Sequence, residues 1–158
     1  MKNTIRSLIV FSVLGFTNLS LAQQPFGLGL VIGDPTGVTA KYWLSQSTAV
    51  DGTVGLSSSH IHFHINHVWH KFGIFDIDKK PIDLYYGVGA RMKDWERETG
   101  PNRSNSSGVY FGARAPVGLR HQFRDPSIEA FVELALGVDL IPRTGVGLDF
   151  GLGARYFF

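Results

Sequence analysis

The last fifteen residues of the chain, 144–158, alternate between apolar side chains and glycine or charged ones. Since successive residues of a strand face opposite sides, the segment predicts a strand with one apolar face and one polar face. This pattern is typical of a strand between lipid and a polar barrel interior. The apolar parity holds Val146, Leu148, Phe150, Leu152, Ala154, Tyr156 and Phe158, and the other parity holds Gly147, Asp149, Gly151, Gly153 and Arg155.

The beginning of the chain has the pattern of an export signal. Lys2 and Arg6 form a positive region before an apolar stretch over residues 8–16, and small residues follow at Ser20 and Ala22. A leader of this kind is removed after export, and its apolar stretch is too short to span a bilayer as a helix. We therefore predict a signal peptide over residues 1–22 and one domain over residues 23–158.

Charge and cysteine content exclude several function classes. The chain has 15 Lys and Arg against 13 Asp and Glu, and loss of Lys2 and Arg6 with the leader would leave 13 of each sign. Nucleic-acid binding, which needs a basic surface, loses its main support. The chain has no cysteine, so disulfides and thiolate chemistry are excluded.

Seven further segments alternate in the same way as the last one. Each is about as long as the roughly 9–11 residues with which a tilted strand crosses a bilayer. The sequence therefore predicts an all-β fold, an eight-stranded antiparallel up-and-down transmembrane β-barrel. The predicted strands cover residues 26–33, 38–45, 49–57, 60–70, 82–93, 109–123, 128–140 and 144–158.

The connections between the predicted strands differ in length and set the expected orientation. If both termini are periplasmic, the longest polar connection, residues 94–108, is external, as the long-loop side of such barrels requires. Residues 71–81 are then a periplasmic connection. Near the same interface, four outward aromatic side chains are expected to form part of a girdle, namely Trp69, Phe123, Tyr156 and Phe158.

The inward parity carries charges of both signs. Eight strands enclose a lumen that side chains fill, and unpaired buried charges are costly, so we predict a paired network and no open pore. Strand spacing predicts one cluster in which Arg120 and Arg155 flank Glu129 and Glu133. Glycines of the first and last strands should leave room for Trp43 and Phe131. The predicted network comprises Lys41, Asp51, Asp83, Arg91, Lys93, Arg114, Arg120, Glu129, Glu133, Asp139, Asp149 and Arg155.

Three segments resemble a family of small outer-membrane barrels of uncharacterised function from spirochaetes and other diderm bacteria, similar in size to the OmpA membrane domain. They are residues 33–44 (GDPTGVTAKYWL), 62–70 (HFHINHVWH) and 86–91 (YGVGAR). The final strand, with Tyr156 and Phe158, resembles the closing strand whose terminal aromatic belongs to the insertion signal. The resemblance implies a fold and an outer-membrane location, with membrane lipid and the barrel-assembly machinery as partners. It implies no activity, and Asn66 stands where an acidic residue is expected.

Three histidines at alternate positions, His60, His62 and His64, share one predicted strand face. Strand neighbours on one face are separated by nearly 7 Å, at roughly 3.3 Å of rise per residue, so at most two imidazoles would chelate one transition metal. Metal sites usually draw ligands from several elements. The favoured interpretation is that these histidines join the hydrogen-bond network of the lumen, with no metal and no cofactor.

Serines next to a histidine leave an enzymatic alternative open. Ser57, Ser58 and Ser59 precede His60, and Asp139 or Asp149 could complete a nucleophile, base and carboxylate set. The protein would then be an outer-membrane hydrolase or acyltransferase acting on lipid A or phospholipid. However, the outward histidines, His67 and His121, map to the opposite end, and serine-rich turns need no catalytic explanation. The favoured prediction is no catalysis.

The 94–108 connection contains Trp95, Arg97 and Arg103. Because an aromatic residue beside arginine often anchors an interface, this loop is the candidate contact with an external macromolecule. A solvated hairpin with Trp95 in an upper girdle is the alternative. The sequence thus predicts a structural or surface-interaction barrel, while a soluble lipocalin-like carrier, which needs an apolar interior, is disfavoured.

Overall fold

The computed structural model describes residues 25–57, 60–77, 80–97 and 106–158. The predicted leader 1–22, Ser58, Ser59 and Arg103 lie outside the described residues, as do the side chains of Ser57, His60, Trp95 and Arg97. Within these ranges no helix is long and apolar enough to cross a membrane. The chain forms β1 (Phe26–Gly33), β2 (Gly37–Trp43), β3 (Thr48–Ser57), β4 (His60–Ile77), β5 (Lys80–Arg97), β6 (Ser106–Gln122), β7 (Ile128–Ile141) and β8 (Gly145–Phe157).

The eight strands form a closed antiparallel barrel in which each strand pairs with its neighbours along the chain. β1 pairs with β8 over residues 27–33 and closes the ring, which confirms the predicted up-and-down fold. One end holds Phe26 and Phe157 and is called the terminus end below. The opposite end, called the loop end, holds the connections after β1, β3, β5 and β7.

The alternation predicted for the last strand is reproduced in the burial of its side chains. Val146 and Leu148 are 72% and 75% exposed, whereas Asp149 and Arg155 are 1% and 3% exposed. The same parity continues around the ring, with Leu134 exposed and Glu133 buried on β7. Apolar side chains therefore cover the outer wall, and charged side chains face the lumen.

Inward glycines make space for large side chains, and the predicted room for Phe131 is present at Gly153 of the last strand. A Cβ at Gly118 on β6 would overlap the ring of Tyr85, and one at Gly153 on β8 would overlap the ring of Phe131. A Cβ at Gly137 on β7 would likewise overlap the guanidinium group of Arg91. A small apolar core among these side chains contains Val31, Trp43, Ala49, Val68, Tyr85, Phe131 and Phe157.

The prediction that residues 71–81 form a connection is wrong. β4 continues to Ile77 and β5 begins at Lys80, and the two strands still pair beyond an irregularity between Lys71 and Phe75. Gly73 at the irregularity has φ +62 and donates its backbone N–H to Asp83 at 2.8 Å. This bulge inserts extra residues and interrupts the alternation, which is why the sequence pattern ended at His70.

The long connection over residues 94–108 is also shorter than predicted. β5 and β6 pair as far as Arg97 with Ser106, so only residues 98–105 connect them. Polar composition indicated a loop here, but backbone pairing in a hairpin does not require apolar side chains. The hairpin therefore extends beyond the neighbouring strands at the loop end.

Candidate functional site

The lumen contains all twelve charged side chains that the sequence placed on the inward parity. Ten of them are buried, and the two at the loop end, Lys93 and Asp139, keep side-chain exposures of 26% and 22%. Because a buried charge without a partner is very costly, the arrangement of ion pairs decides whether this interior is stable. The pairs form two clusters, one in each half of the barrel.

The cluster nearer the terminus end is centred on the buried carboxylate of Glu129. Lys41 donates to it at 2.9 Å, and Arg120 and Arg155 each donate at 2.8 Å. Arg120 also donates to Asp83 at 2.8 Å. The predicted grouping of Arg120, Arg155 and Glu129 is therefore present, with Lys41 as an additional member from the opposite side of the ring closure.

The hydrogen-bond partners of Glu133 differ from those of the predicted cluster. It accepts a hydrogen bond from Arg114 at 2.7 Å and one from the Tyr85 hydroxyl at 2.8 Å. Tyr85 reaches Glu133 across the intervening Gly118, since Gly118 pairs with both residues, and Arg114 reaches it along the neighbouring strand from its position beside Gly137. Among the described residues Glu133 forms its ion pair with Arg114, so it joins the predicted cluster only through its electrostatic interaction with Arg155.

The second cluster, nearer the loop end, is centred on Asp149. Lys93 donates to Asp149 at 2.9 Å, and the Arg91 and Arg114 guanidinium groups lie 3.3 Å from it. Arg91 also pairs with Asp139 at 2.9 Å. Arg114 links this cluster to Glu133, which accepts a hydrogen bond from Tyr85, so a chain of polar contacts extends from Asp149 into the middle of the lumen.

Two inward residues that the sequence did not single out as site residues hold Arg155 in place. The Thr39 hydroxyl, which is fully buried, accepts hydrogen bonds from Arg155 at 2.8 and 3.1 Å. The Arg155 guanidinium also stacks over the Phe131 ring at 4.0 Å from its centroid. Thr39 shares the parity of Lys41, so the alternation would have identified it.

Aromatic rings cover the charged cluster at the terminus end. The rings of Trp43 and His70 are 4.4 Å apart, and Phe72 stacks on both at 6.4 and 6.3 Å. The cations of Lys41 and Arg120 lie 4.7 and 4.8 Å from the Trp43 ring. This cation–π packing fills the lumen between the Glu129 cluster and the terminus end. The sequence did not identify Phe72 as a lumen residue, because Phe72 lies within residues 71–81, the segment predicted to be a connection.

A cavity of about 560 Å³ opens at the loop end. Its walls include three carboxylates, Asp34, Asp94 and Asp139, and two cations, Lys93 and Arg143. His62 also lines it and is 6% exposed. Among the described residues, neither ring nitrogen of His62 has a hydrogen-bond partner, and Nδ1 of His64 has none. The prediction that these histidines join the hydrogen-bond network is wrong for those three atoms.

The described part of the structure does not bring together the remaining candidate residues for catalysis or surface interaction. Ser58, Ser59 and Arg103, with the side chains of Ser57, His60, Trp95 and Arg97, lie outside them. His67 and His121 are on the outer wall near the terminus end, in edge contact with Trp69 and Phe123 at 4.7 and 4.5 Å. The lipid-directed enzyme therefore gains no support. In the described ranges, no group of three or more His, Cys, Asp or Glu residues is arranged to hold a metal ion.

The barrel has a counterpart among solved structures. The N-terminal β-barrel domain of Pseudomonas aeruginosa OprF is similar to this chain with a TM-score of 0.62 and 14% sequence identity, over 85% of this chain and 97% of that chain. At this identity the likeness shows the fold. No family model matches the chain, and no curated protein matches it. The predicted eight-stranded barrel architecture is thus confirmed, while the more specific family resemblance is not supported.

Proposed function

We propose that this chain spans a bacterial outer membrane as a β-barrel plugged by its own side chains. The observation that carries the proposal is the polarity of the two surfaces: the outer wall is apolar, and ten charged side chains are buried inside. A soluble monomer rarely exposes an apolar patch larger than a few hundred Å². In a bilayer the same wall is favourable, because lipid covers it and the closed ring leaves no strand edge unpaired.

The aromatic side chains at the terminus end support one orientation. Trp69, Phe123, Tyr156 and Phe158 are all exposed on the outer wall there, and Trp69 stacks on Tyr86 at 5.9 Å. Aromatic rings of this kind favour the level of the lipid headgroups. We propose that this end faces the periplasm and that the loop end faces the outside of the cell.

A plugged lumen favours a structural or surface-interaction role over transport. The Glu129 and Asp149 clusters and the Trp43 aromatic cover occupy the interior, which leaves the surfaces as the means of interaction. We propose membrane lipid as partner of the wall and the barrel-assembly machinery as partner of Tyr156 and Phe158. The hairpin that carries Trp95, Arg97 and Arg103 is the proposed contact for an external macromolecule.

The membrane location is tested by gel mobility of the full chain folded into detergent micelles. Eight-stranded barrels hold their fold in mild detergent, so we expect unheated and heated samples to migrate differently. Fractionation of expressing cells should place the protein in the outer-membrane fraction. Recovery as a water-soluble protein with one mobility would contradict the proposal.

The orientation is tested by labelling single cysteines on intact cells. The chain has no natural cysteine, so Arg103→Cys at the loop end and Asp125→Cys at the terminus end form a matched pair. A membrane-impermeant maleimide should label Arg103→Cys on intact cells, and Asp125→Cys only after permeabilisation. The reverse pattern would place the terminus end outside and would contradict the proposed orientation.

A further inference from the structure

We propose that the loop-end cavity is a binding site for a short peptide with free termini. The carboxylates of Asp34 and Asp139, together with the His62 imidazole, hold the ammonium group of the peptide, and Arg143 holds its carboxylate. All four residues line the cavity. They come from the turn after β1, from β4, from β7 and from the turn after β7, so closure of the ring brings them to one mouth.

The buried imidazole of His62 indicates that the cavity takes a polar ligand. His62 lines the cavity and is 6% exposed, and neither of its ring nitrogens has a hydrogen-bond partner among the described residues. Buried polar atoms are normally hydrogen-bonded, because an unsatisfied one is costly. A neutral imidazole offers one acceptor nitrogen and one N–H donor. A ligand that carries N–H donors therefore satisfies the acceptor nitrogen.

Two carboxylates of the cavity keep free capacity to accept hydrogen bonds. The Asp34 side chain is 66% exposed, and its contacts are long, 3.6 Å from Oδ1 to Nδ1 of His62 and 3.5 Å from Oδ2 to Nζ of Lys93. Asp139 is bound by a neighbouring arginine through Oδ1, and a Cβ at Gly145 in the cavity wall would lie 3.6 Å from its Oδ2. An ammonium group has three donors and no acceptor, so it suits these carboxylates and the acceptor nitrogen of His62.

The guanidinium group of Arg143 provides the opposite charge. Arg143 is exposed in the turn between β7 and β8 and lines the cavity, and it forms no ion pair within the part of the chain that the structure describes. The other lining cation, Lys93, is held by Asp149 at 2.9 Å. A guanidinium fork pairs with a carboxylate through two parallel hydrogen bonds. The carboxylate of the ligand therefore binds Arg143.

The balance of charge at the cavity selects a ligand that carries both signs. A simple anion would face three carboxylates, and a simple cation would leave Arg143 unpaired beside it, whereas a zwitterion compensates both kinds of group. The volume of about 560 Å³ lies within the range of about 300–1,000 Å³ that is usual for ligand sites, which suits a peptide rather than a single small amino acid. Ile61 and Tyr110 also line the cavity and provide apolar contact for the side chains of the peptide.

The site is tested by calorimetric titration of the folded full chain in detergent with trialanine, at about pH 7, where the ammonium group is protonated. We expect one trialanine per chain. N-acetyl-trialanine, which lacks the ammonium group, and trialanine amide, which lacks the carboxylate, should each bind at least tenfold more weakly. Similar affinities for the three compounds would overturn the proposal, because neither terminus would then be recognised.

Single substitutions assign the two ends of the peptide. Arg143→Gln should weaken the binding of trialanine at least tenfold and leave the binding of trialanine amide unchanged, because the amide has no carboxylate to lose. Asp34→Asn should weaken the binding of trialanine and of its amide by the same factor. Arg124→Gln and Asp125→Asn remove the same charges in the exposed turn after β6, at the terminus end, and are the matched controls that bind as the natural chain does.

Folding of each variant is checked by heat-dependent gel mobility. No binding of trialanine by the folded natural chain would overturn the proposal, and so would an equal loss of binding in the terminus-end controls. An Arg143→Gln variant that loses trialanine and its amide alike would also contradict it. Tighter binding of inorganic phosphate or methylammonium than of trialanine would indicate a site for a simple ion and would overturn the proposal as well. None of these outcomes bears on the membrane location.

Discussion

Lys41 Nζ lies 2.9 Å from Glu129 Oε2, although the two residues stand 88 positions apart in the chain, on β2 and β7. Both side chains are almost completely buried. Arg120 from β6 and Arg155 from β8 donate to the same carboxylate. Glu129 therefore connects cations from three strands, and its charge compensates groups that have no access to water.

Replacing Glu129 by Gln should strongly destabilise the folded barrel. Gln keeps the shape of the side chain but leaves the cations of Lys41, Arg120 and Arg155 without their shared negative charge. Removing one partner of a buried ion pair costs about 3–5 kcal/mol, and we expect a loss of this size in the free energy of unfolding. Urea unfolding of the chain folded in lipid vesicles measures it.

The matched control for Glu129→Gln is Asp125→Asn in the exposed turn after β6. It removes the same charge at the surface, where substitutions usually change stability by less than about 0.5 kcal/mol. Similar unfolding free energies for the two variants would show that Glu129 does not stabilise the interior through its charge.

Tyr85 and Tyr86 are neighbours in the chain but face opposite sides of the barrel. Tyr85 is 1% exposed and its hydroxyl donates to Glu133 at 2.8 Å, while Tyr86 is 42% exposed on the outer wall. We expect Tyr85→Phe to lower the free energy of unfolding by about 1–3 kcal/mol, because a buried charged acceptor loses a donor.

Tyr86→Phe is the control for this hydroxyl. It keeps the ring that stacks on Trp69 and should leave the urea midpoint nearly unchanged. An equal effect of the two substitutions would contradict the role assigned to the hydrogen bond between Tyr85 and Glu133.

The sequence was sufficient to assign residues to the lumen but not to pair them. A period of two places every second side chain inside, which is why Lys41, Arg91 and Glu129 were assigned correctly without knowledge of the ring. Pairing depends instead on how far long side chains reach across the closed lumen. Glu133 on β7 illustrates this, because Tyr85 reaches it from β5, two strands away, and Arg114 reaches it from a position on β6 that is level with Gly137.

The sequence also does not predict where the strands depart from the period of two. The bulge at Gly73 interrupts the alternation, so the sequence predicts a connection where the terminus-end part of the β4–β5 hairpin lies. The position of Asp34 beside His62 is a similar case, since a turn residue has no periodicity that relates it to a strand two places away. Backbone pairing and ring closure decide both.

Phe157 and Phe158 at the end of β8 should separate folding stability from assembly. Phe157 is 3% exposed in the lumen, and Phe158 is 59% exposed on the outer wall, with its ring 5.0 Å from that of Tyr156. Phe157→Ala should cost about 3–5 kcal/mol of unfolding free energy. Phe158→Ala should cost less but should slow insertion into vesicles that contain the assembly machinery.

Insertion into vesicles without the machinery is the control for that comparison. If Tyr156 and Phe158 are read by the machinery, Phe158→Ala should insert into plain vesicles at the rate of the natural chain. The same slowing in both kinds of vesicle would mean that Phe158 affects folding itself and is not a recognition residue.

If lipid covers the outer wall, the loss of stability caused by an arginine on that wall should depend on its depth in the membrane. Leu134 pairs with Val117 and Phe150 in the middle of the wall, and Ile141 ends β7 at the loop end. The two side chains are 52% and 64% exposed, so in a protein surrounded by water neither substitution would matter. In a bilayer we expect Leu134→Arg to cost about 2–4 kcal/mol and Ile141→Arg about 0–1 kcal/mol. Unfolding in lipid vesicles measures both, and small, equal effects would be evidence against lipid covering this wall.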